Sequence, residues 1–96
     1  MTIYRLDIND SNYGSEYGVS IYEKYDVVET PKCYIWRACD NEKHYKKSML
    51  GTEIFLTKQD AINYAIKITL NKITYYYKKI ENINKCLNNL KMGAVE

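Results

Sequence analysis

The segment from Thr57 to Leu90 limits this chain more than any other, because its apolar residues hold one spacing over about nine helical turns. They fall at Ile62, Ile66, Ile73, Tyr76, Ile80, Ile83, Leu87 and Leu90, and Thr69 completes an alternation of four and three. Such spacing puts them in a single stripe on a helix, close to the 3.5-residue period of a coiled-coil seam. Thr57 is placed to cap the helix, with Asp60 three residues on to meet the open amides of the first turn. A helix of this length spans about 50 Å, whereas a six-residue strand spans only about 20 Å. One small sheet therefore cannot cover the whole stripe. Leaving Ile80, Ile83, Leu87 and Leu90 in water would forfeit about 1.5 to 3 kcal/mol for each large side chain. A second copy of the same helix is the simplest cover, so the expectation is a homodimer paired over the C-terminal halves. A break at Asn82 and Asn84, or a foreign partner, would also remove the exposure. The lysines beside the seam have no matching glutamates.

Ahead of the helix the pattern is that of strands. Met1 to Ile8 alternates, with Tyr4, Leu6 and Ile8 on one side and Ile3, Arg5 and Asp7 on the other. Asn9 to Gly18 is rich in turn formers and carries Tyr13 and Tyr17 as loop aromatics, which pack back on a sheet more often than they bind a partner. Val19 to Thr30 reads as one long strand. Pro31 lacks an amide hydrogen and sets a turn at Thr30-Pro31-Lys32-Cys33, after which Tyr34 to Cys39 returns antiparallel. Asp40 to Gly51 is charged and loop-like, with room for a short strand between Tyr45 and Leu50, and Thr52 to Leu56 is a last strand leading into the cap. The expected fold is one α+β domain: three or four antiparallel strands over residues 1–56, packed on the N-terminal half of a helix over 57–91.

Several function classes are disfavoured. No apolar run approaches the roughly 20 residues that cross a bilayer, and Met1 to Ile8 lacks the basic start and apolar core of a signal peptide, so a cytoplasmic protein without membrane contact is expected. The three cysteines, Cys33, Cys39 and Cys86, are expected as buried reduced thiols. Cys33, Cys39 and His44 lack the close pairs of a zinc site, and Cys39 with His44 lacks an orienting group for nucleophilic catalysis. Neither a metal, a cofactor nor an enzymatic activity is expected.

Ile, Lys, Asn and Tyr supply 43 of the 96 residues, a bias suited to an AT-rich genome, and it accounts for many of the tyrosines and lysines without a binding role. The net charge of +2 implies no anionic partner by itself. Its distribution is uneven: residues 1–57 hold seven Lys and Arg against nine Asp and Glu, and residues 58–96 hold seven against three. Lys72, Lys78, Lys79 and Lys85 form two rows beside Tyr75, and Tyr75 and Tyr77 are turned off the stripe on which Tyr76 lies. These residues, with Tyr13 and Tyr17, are the candidate binding set. A solvated polar face is the simpler reading; contact with nucleic acid through lysine and stacked tyrosine is the functional one. Trp36 is expected in the core.

The run from Tyr22 through Thr30-Pro31-Lys32-Cys33 to Trp36, followed by Ile54-Phe55-Leu56-Thr57-Lys58-Gln59-Asp60-Ala61, resembles a group of small phage proteins. That group combines an aromatic-rich hairpin turning at Thr-Pro-Lys with a strand, a Thr-capped acidic helix start and a long basic helix. The resemblance covers roughly residues 19–90. The chain departs from it at Cys33, where Gly is common, and in lacking an Arg-Lys pair at mid-helix. The resemblance implies a non-enzymatic inhibitor that binds a host defence nuclease complex, an anti-CRISPR-like role, and it supplies no catalytic residues. A nucleic-acid-binding accessory protein is the alternative.

Overall fold

The computed structural model describes residues 1–10 and 16–93, and these divide into two units, Met1–Ala65 and Ile66–Glu96. The fold is α+β, with two antiparallel three-stranded sheets and one long C-terminal helix.

In the first unit, β1 (Ile3–Asp10) lies at the centre of one sheet, between β2 (Tyr17–Lys24) and a short strand at Ile54–Phe55 that is β6 in chain order. The β1 and β2 register runs from Ile3 opposite Lys24 to Asp10 opposite Tyr17. The second sheet is β3 (Val28–Glu29), β4 (Cys33–Ala38) and β5 (Asn41–Lys46), in that order. The alternation along β1 sorts its side chains as the sequence implies. Leu6 joins Phe55, Ala61 and Ala65 in one cluster, flanked by Tyr4, Ile8, Ile21 and Tyr64. Ile3, on the other face, joins Val27, Tyr34, Tyr45 and Ile54 between the sheets. Adjacent residues Ile54 and Phe55 serve opposite clusters because side chains alternate across a strand. β1 and the strand at Ile54–Phe55 thus pack on both faces, against the second sheet on one side and the start of the helix on the other, while most of β2 stays exposed. Each fully buried Ile in this arrangement contributes about 1.5 to 3 kcal/mol.

The helix, α1, spans Lys58–Lys91, beginning in the first unit and making up the described part of the second. Thr57 Oγ1 accepts the Asp60 amide at 3.1 Å, so the expected cap is present. The side chains that bury this first stretch are small: Ala61 and Ala65 stand one turn apart, where a bare methyl lets the helix approach the sheet. The stripe of large residues is not the sheet-facing one, and Ile66, expected on it, is half exposed. Spacing counted over large side chains passed over the two alanines.

Four further expectations are corrected. The run Val19 to Thr30 is not one strand. It bends at Asp26, whose φ of 55° is a left-handed conformation that Asp tolerates better than most residues. The chain then leaves the first sheet for the second, and Val27 is held by donating to the Met1 carbonyl at 2.8 Å while the Met1 amine donates back at 3.1 Å. The Pro31 turn does form a hairpin, but its first strand is β3 alone, with Val28 opposite Ile35 and Glu29 opposite Tyr34. Thr30 closes the turn, its amide reaching the Cys33 carbonyl at 2.8 Å and its Oγ1 accepting the Cys33 amide at 3.0 Å. Residues 41–46 form β5, an edge strand whose only buried side chain is Tyr45, where a loop with a short strand over Tyr45 to Leu50 was expected, and Lys47–Met49 is a 3-10 turn instead. A strand with one inward apolar residue and charged neighbours carries little alternation to read, and those charges suit an unpaired edge. Tyr17 starts β2 rather than sitting in a loop, and Tyr13 lies outside the described residues. The cysteines are free as expected but not buried: Cys33 is half-buried, and Cys39 and Cys86 are exposed.

Candidate functional site

From Ile66 onward α1 carries large side chains that remain in solvent. Ile66, Leu70, Ile73, Tyr76, Ile80 and Ile83 are all exposed, as are Leu87 and Leu90, at values between 42 and 57 %. At about 100° of rotation per residue, Ile66, Ile73, Ile80 and Leu87 form one row and Tyr76, Ile83 and Leu90 a second beside it. Tyr76, expected in the core, is 42 % exposed and meets Tyr75 edge-on, with ring centroids 5.4 Å apart.

The candidate binding residues do not make one surface. Tyr75 and Tyr77 are 58 and 69 % exposed, but helical rotation sets them about 160° apart. Tyr77 falls with Leu70 and Ile73 at the edge of the apolar rows. Tyr75 faces the opposite side, flanked by exposed Lys78 and Lys85 to one side and by exposed Lys79 and half-buried Lys72 to the other. Tyr17 belongs to β2 in the first unit, opposite Asp10. Tyr75 and the lysines therefore form a basic polar face, and Tyr77 belongs to the apolar one.

The sheets do not assemble Cys33, Cys39 and His44. Cys33 and Cys39 lie at opposite ends of β4, the second in the turn after it. His44 is three ladder positions, about 10 Å, from that turn, and its Nε2 pairs with Glu42 Oε1 at 2.7 Å. Among the described residues no three His, Cys, Asp or Glu side chains converge as metal ligands, and no helix is long and apolar enough to cross a membrane.

One feature of the first unit was not legible beforehand. Arg5, Lys24 and Lys43, from β1, β2 and β5, interleave with aromatic rings: the Arg5 guanidinium is 5.9 Å from the Tyr22 centroid, Lys24 Nζ is 4.0 Å from that of Trp36, and Lys43 Nζ is 5.8 Å from that of Tyr45. Burial, then the charges of Arg5 and Lys43, push the Lys24 ammonium below the usual lysine range. Trp36 is partly buried against the inter-sheet cluster, close to expectation. Arg5 and Lys43 also line a cleft of about 420 Å³ with Asp7, Glu53, Tyr45 and Met49. The Tyr45 hydroxyl is buried, with no hydrogen-bond partner among the described residues. Because Asp7 and Glu53 offset the two cations, the lining is mixed in sign and selects no ligand class. The alternation of Arg5 and Asp7 with Leu6 and Ile8 was readable in sequence, but the loop assignment of residues 41–46 hid the opposing side.

Comparison with protein-family models, curated proteins and solved structures finds no match to this chain.

Proposed function

We propose that this chain acts by binding other proteins, with α1 beyond Ile66 as its contact surface. The observation that carries this reading is the apolar exposure of that segment, which exceeds the scattered single side chains normal on a protein surface. Its aromatic content supports the same reading, since tyrosine combines a large apolar body with a polar tip and is favoured at interfaces.

The resemblance to small phage proteins narrows the reading. In it the bound protein is a bacterial defence nuclease complex, the outcome is inhibition without catalysis, and the site of action is the host cytoplasm. Beside the apolar rows that carry the reading, the contacts toward such a complex are Tyr75, Lys78, Lys79 and Lys85 on the opposite face, whose basic character suits its acidic surfaces or nucleic-acid channels. The test is phage plaquing on a CRISPR-defended host expressing the chain. Restored plaquing that is lost with Tyr75→Ala and Lys78→Glu together supports the reading. Unrestored plaquing, with the chain folded and expressed, removes it.

A second reading is favoured by one observation, the alignment of exposed Lys78 and Lys85 a heptad apart beside Tyr75. That row could follow phosphates while tyrosine stacks on a base. A gel shift that weakens steeply with salt and disappears with Lys78→Glu and Lys85→Glu would put nucleic acid in place of the protein target.

A further inference from the structure

We propose that α1 from Ile66 to Leu90 pairs in parallel and in register with the same segment of a second copy of this chain. The proposal rests on the reading of α1 as a contact surface and identifies which part of it is covered by self-association.

Ile66, Ile73 and Ile80, with Leu87 one heptad further, form the row that meets itself across the axis of a parallel pair. Branched isoleucine at that position packs well against its own copy, and with leucine in the companion row, as at Leu90, it favours two parallel strands. The second row, Thr69, Tyr76, Ile83 and Leu90, completes the alternation of three and four.

In a parallel pair each flanking residue of one helix faces the residue five positions on in the other. Lys72 then faces Tyr77 of the second copy, Lys79 faces Asn84, and Cys86 faces Lys91, so no like charges meet. Lys72 also gains a tyrosine ring, a favourable partner for a cation. Antiparallel registers that keep the whole stripe in contact set Lys79 against Lys79 of the second copy, or Lys72 against Lys79. The lysines beside the seam thus discriminate against the antiparallel arrangement rather than against pairing.

Nine large side chains, the eight of the stripe with Leu70 and Tyr77 in and Ile62 out, are about half exposed. Together they present on the order of 700 Å² of apolar surface per chain, taking roughly 80 Å² for each. A standard stable interface buries about 800 Å² per partner, whereas the largest apolar patch of a monomer is about 300 to 600 Å². Pairing this way leaves Tyr75, Lys78 and Lys85 on the outside, so a dimer would present two copies of the basic face to a target.

Sedimentation equilibrium at micromolar concentration tests self-pairing, and oxidative cross-linking tests its direction. The expected mass is that of two chains, falling to one in Ile80→Glu while Trp36 fluorescence, which reports on the sheets, stays unchanged. In a background with Cys33, Cys39 and Cys86 changed to Ser, Leu87→Cys should cross-link under mild oxidation into a covalent dimer. This second variant keeps an apolar side chain, so it remains informative if Ile80→Glu fails to fold. An antiparallel pair would hold the two positions about 27 Å apart, so a dimer that does not cross-link overturns the parallel register. A wild-type mass of one chain, or of three, overturns the proposal. The plaque assay is read separately, so a monomer that still restores plaquing would refute self-pairing and leave the target-binding reading standing.

Discussion

Replacing Cys39 by Gly should make the protein more stable. Cys39 and Asp40 form a two-residue connection between β4 and β5, with Ala38 paired to Asn41 across its base. Such short hairpin loops require positive φ, and Cys39 adopts 54°. An L-residue held there pays about 1 to 2 kcal/mol through the contact of its Cβ with the following carbonyl. Glycine removes that contact, but it adds about 0.5 to 1 kcal/mol of conformational freedom to the unfolded chain. Cys39 is exposed and unpaired with another cysteine, so its side chain contributes little else. The difference is a gain of about 1 kcal/mol, which for a domain of this size raises the unfolding midpoint by roughly 4 to 8 °C. Thermal unfolding followed by Trp36 fluorescence reads it, since Trp36 lies on β4 opposite Lys43. Cys39→Ala is the control, because alanine retains the Cβ and should match wild type within about 0.5 kcal/mol. If the Gly variant melts no higher than the Ala variant, backbone strain at the turn is not what limits the hairpin.

Three other substitutions follow from the same geometry. Thr57→Ala removes the acceptor for the Asp60 amide and should cost about 1 kcal/mol in denaturant unfolding, most of it restored by Thr57→Ser; equal losses in both variants would show that the cap is not the cause. Tyr45→Phe should leave stability unchanged or raise it by about 1 kcal/mol, because the hydroxyl it removes is buried with no partner, and a large loss would reveal a hydrogen bond unaccounted for in the sheets. Lys24 should give a stability that rises in alkali. Its charged form is disfavoured by burial, then by Arg5 and Lys43, so that cost is fully present below its depressed pKa and is relieved as pH climbs through it toward 10.5. Lys24→Met lacks this term, so the denaturation midpoints of the two proteins should converge across that window; a constant difference would show that Lys24 carries no such penalty.

The helix was legible because it repeats one signal over many turns and opens on a threonine cap. The faces of β1 were legible for the same reason, a period of two sustained from Ile3 to Ile8. What escaped was set by tertiary context. Asp26 turns a β-prone run into strands of two different sheets, and only the pairing partners of β1 and β4 determine where the break falls. β5 exists because β4 supplies hydrogen bonds along its length, not because its own sequence alternates. Ala61 and Ala65 pack the helix against the sheet by being small, a contribution that a search for large apolar residues does not weigh. Of the candidate site, Tyr75, Tyr77 and the lysines lie on the helix, and the turning of Tyr75 and Tyr77 to opposite sides of Tyr76 follows from helical rotation of the sequence alone. The seam of Arg5, Lys24 and Lys43 with its aromatic rings required the register of four strands and lay beyond sequence.

Hydrogen exchange of the backbone amides of α1 at micromolar concentration reads whether a partner covers the helix beyond Ile66 in solution. Most helical stability in a protein comes from packing of an apolar face, so an uncovered segment exchanges through frequent local opening. The expected result is strong protection of amides 66–90 in the wild type and its loss in Ile80→Glu, with β1 and β4 equally protected in both. Glutamate is at least as good a helix former as isoleucine, so such a loss would not reflect propensity. Rapid exchange of the segment in the wild type, or protection that Ile80→Glu leaves unchanged, would contradict coverage by a partner.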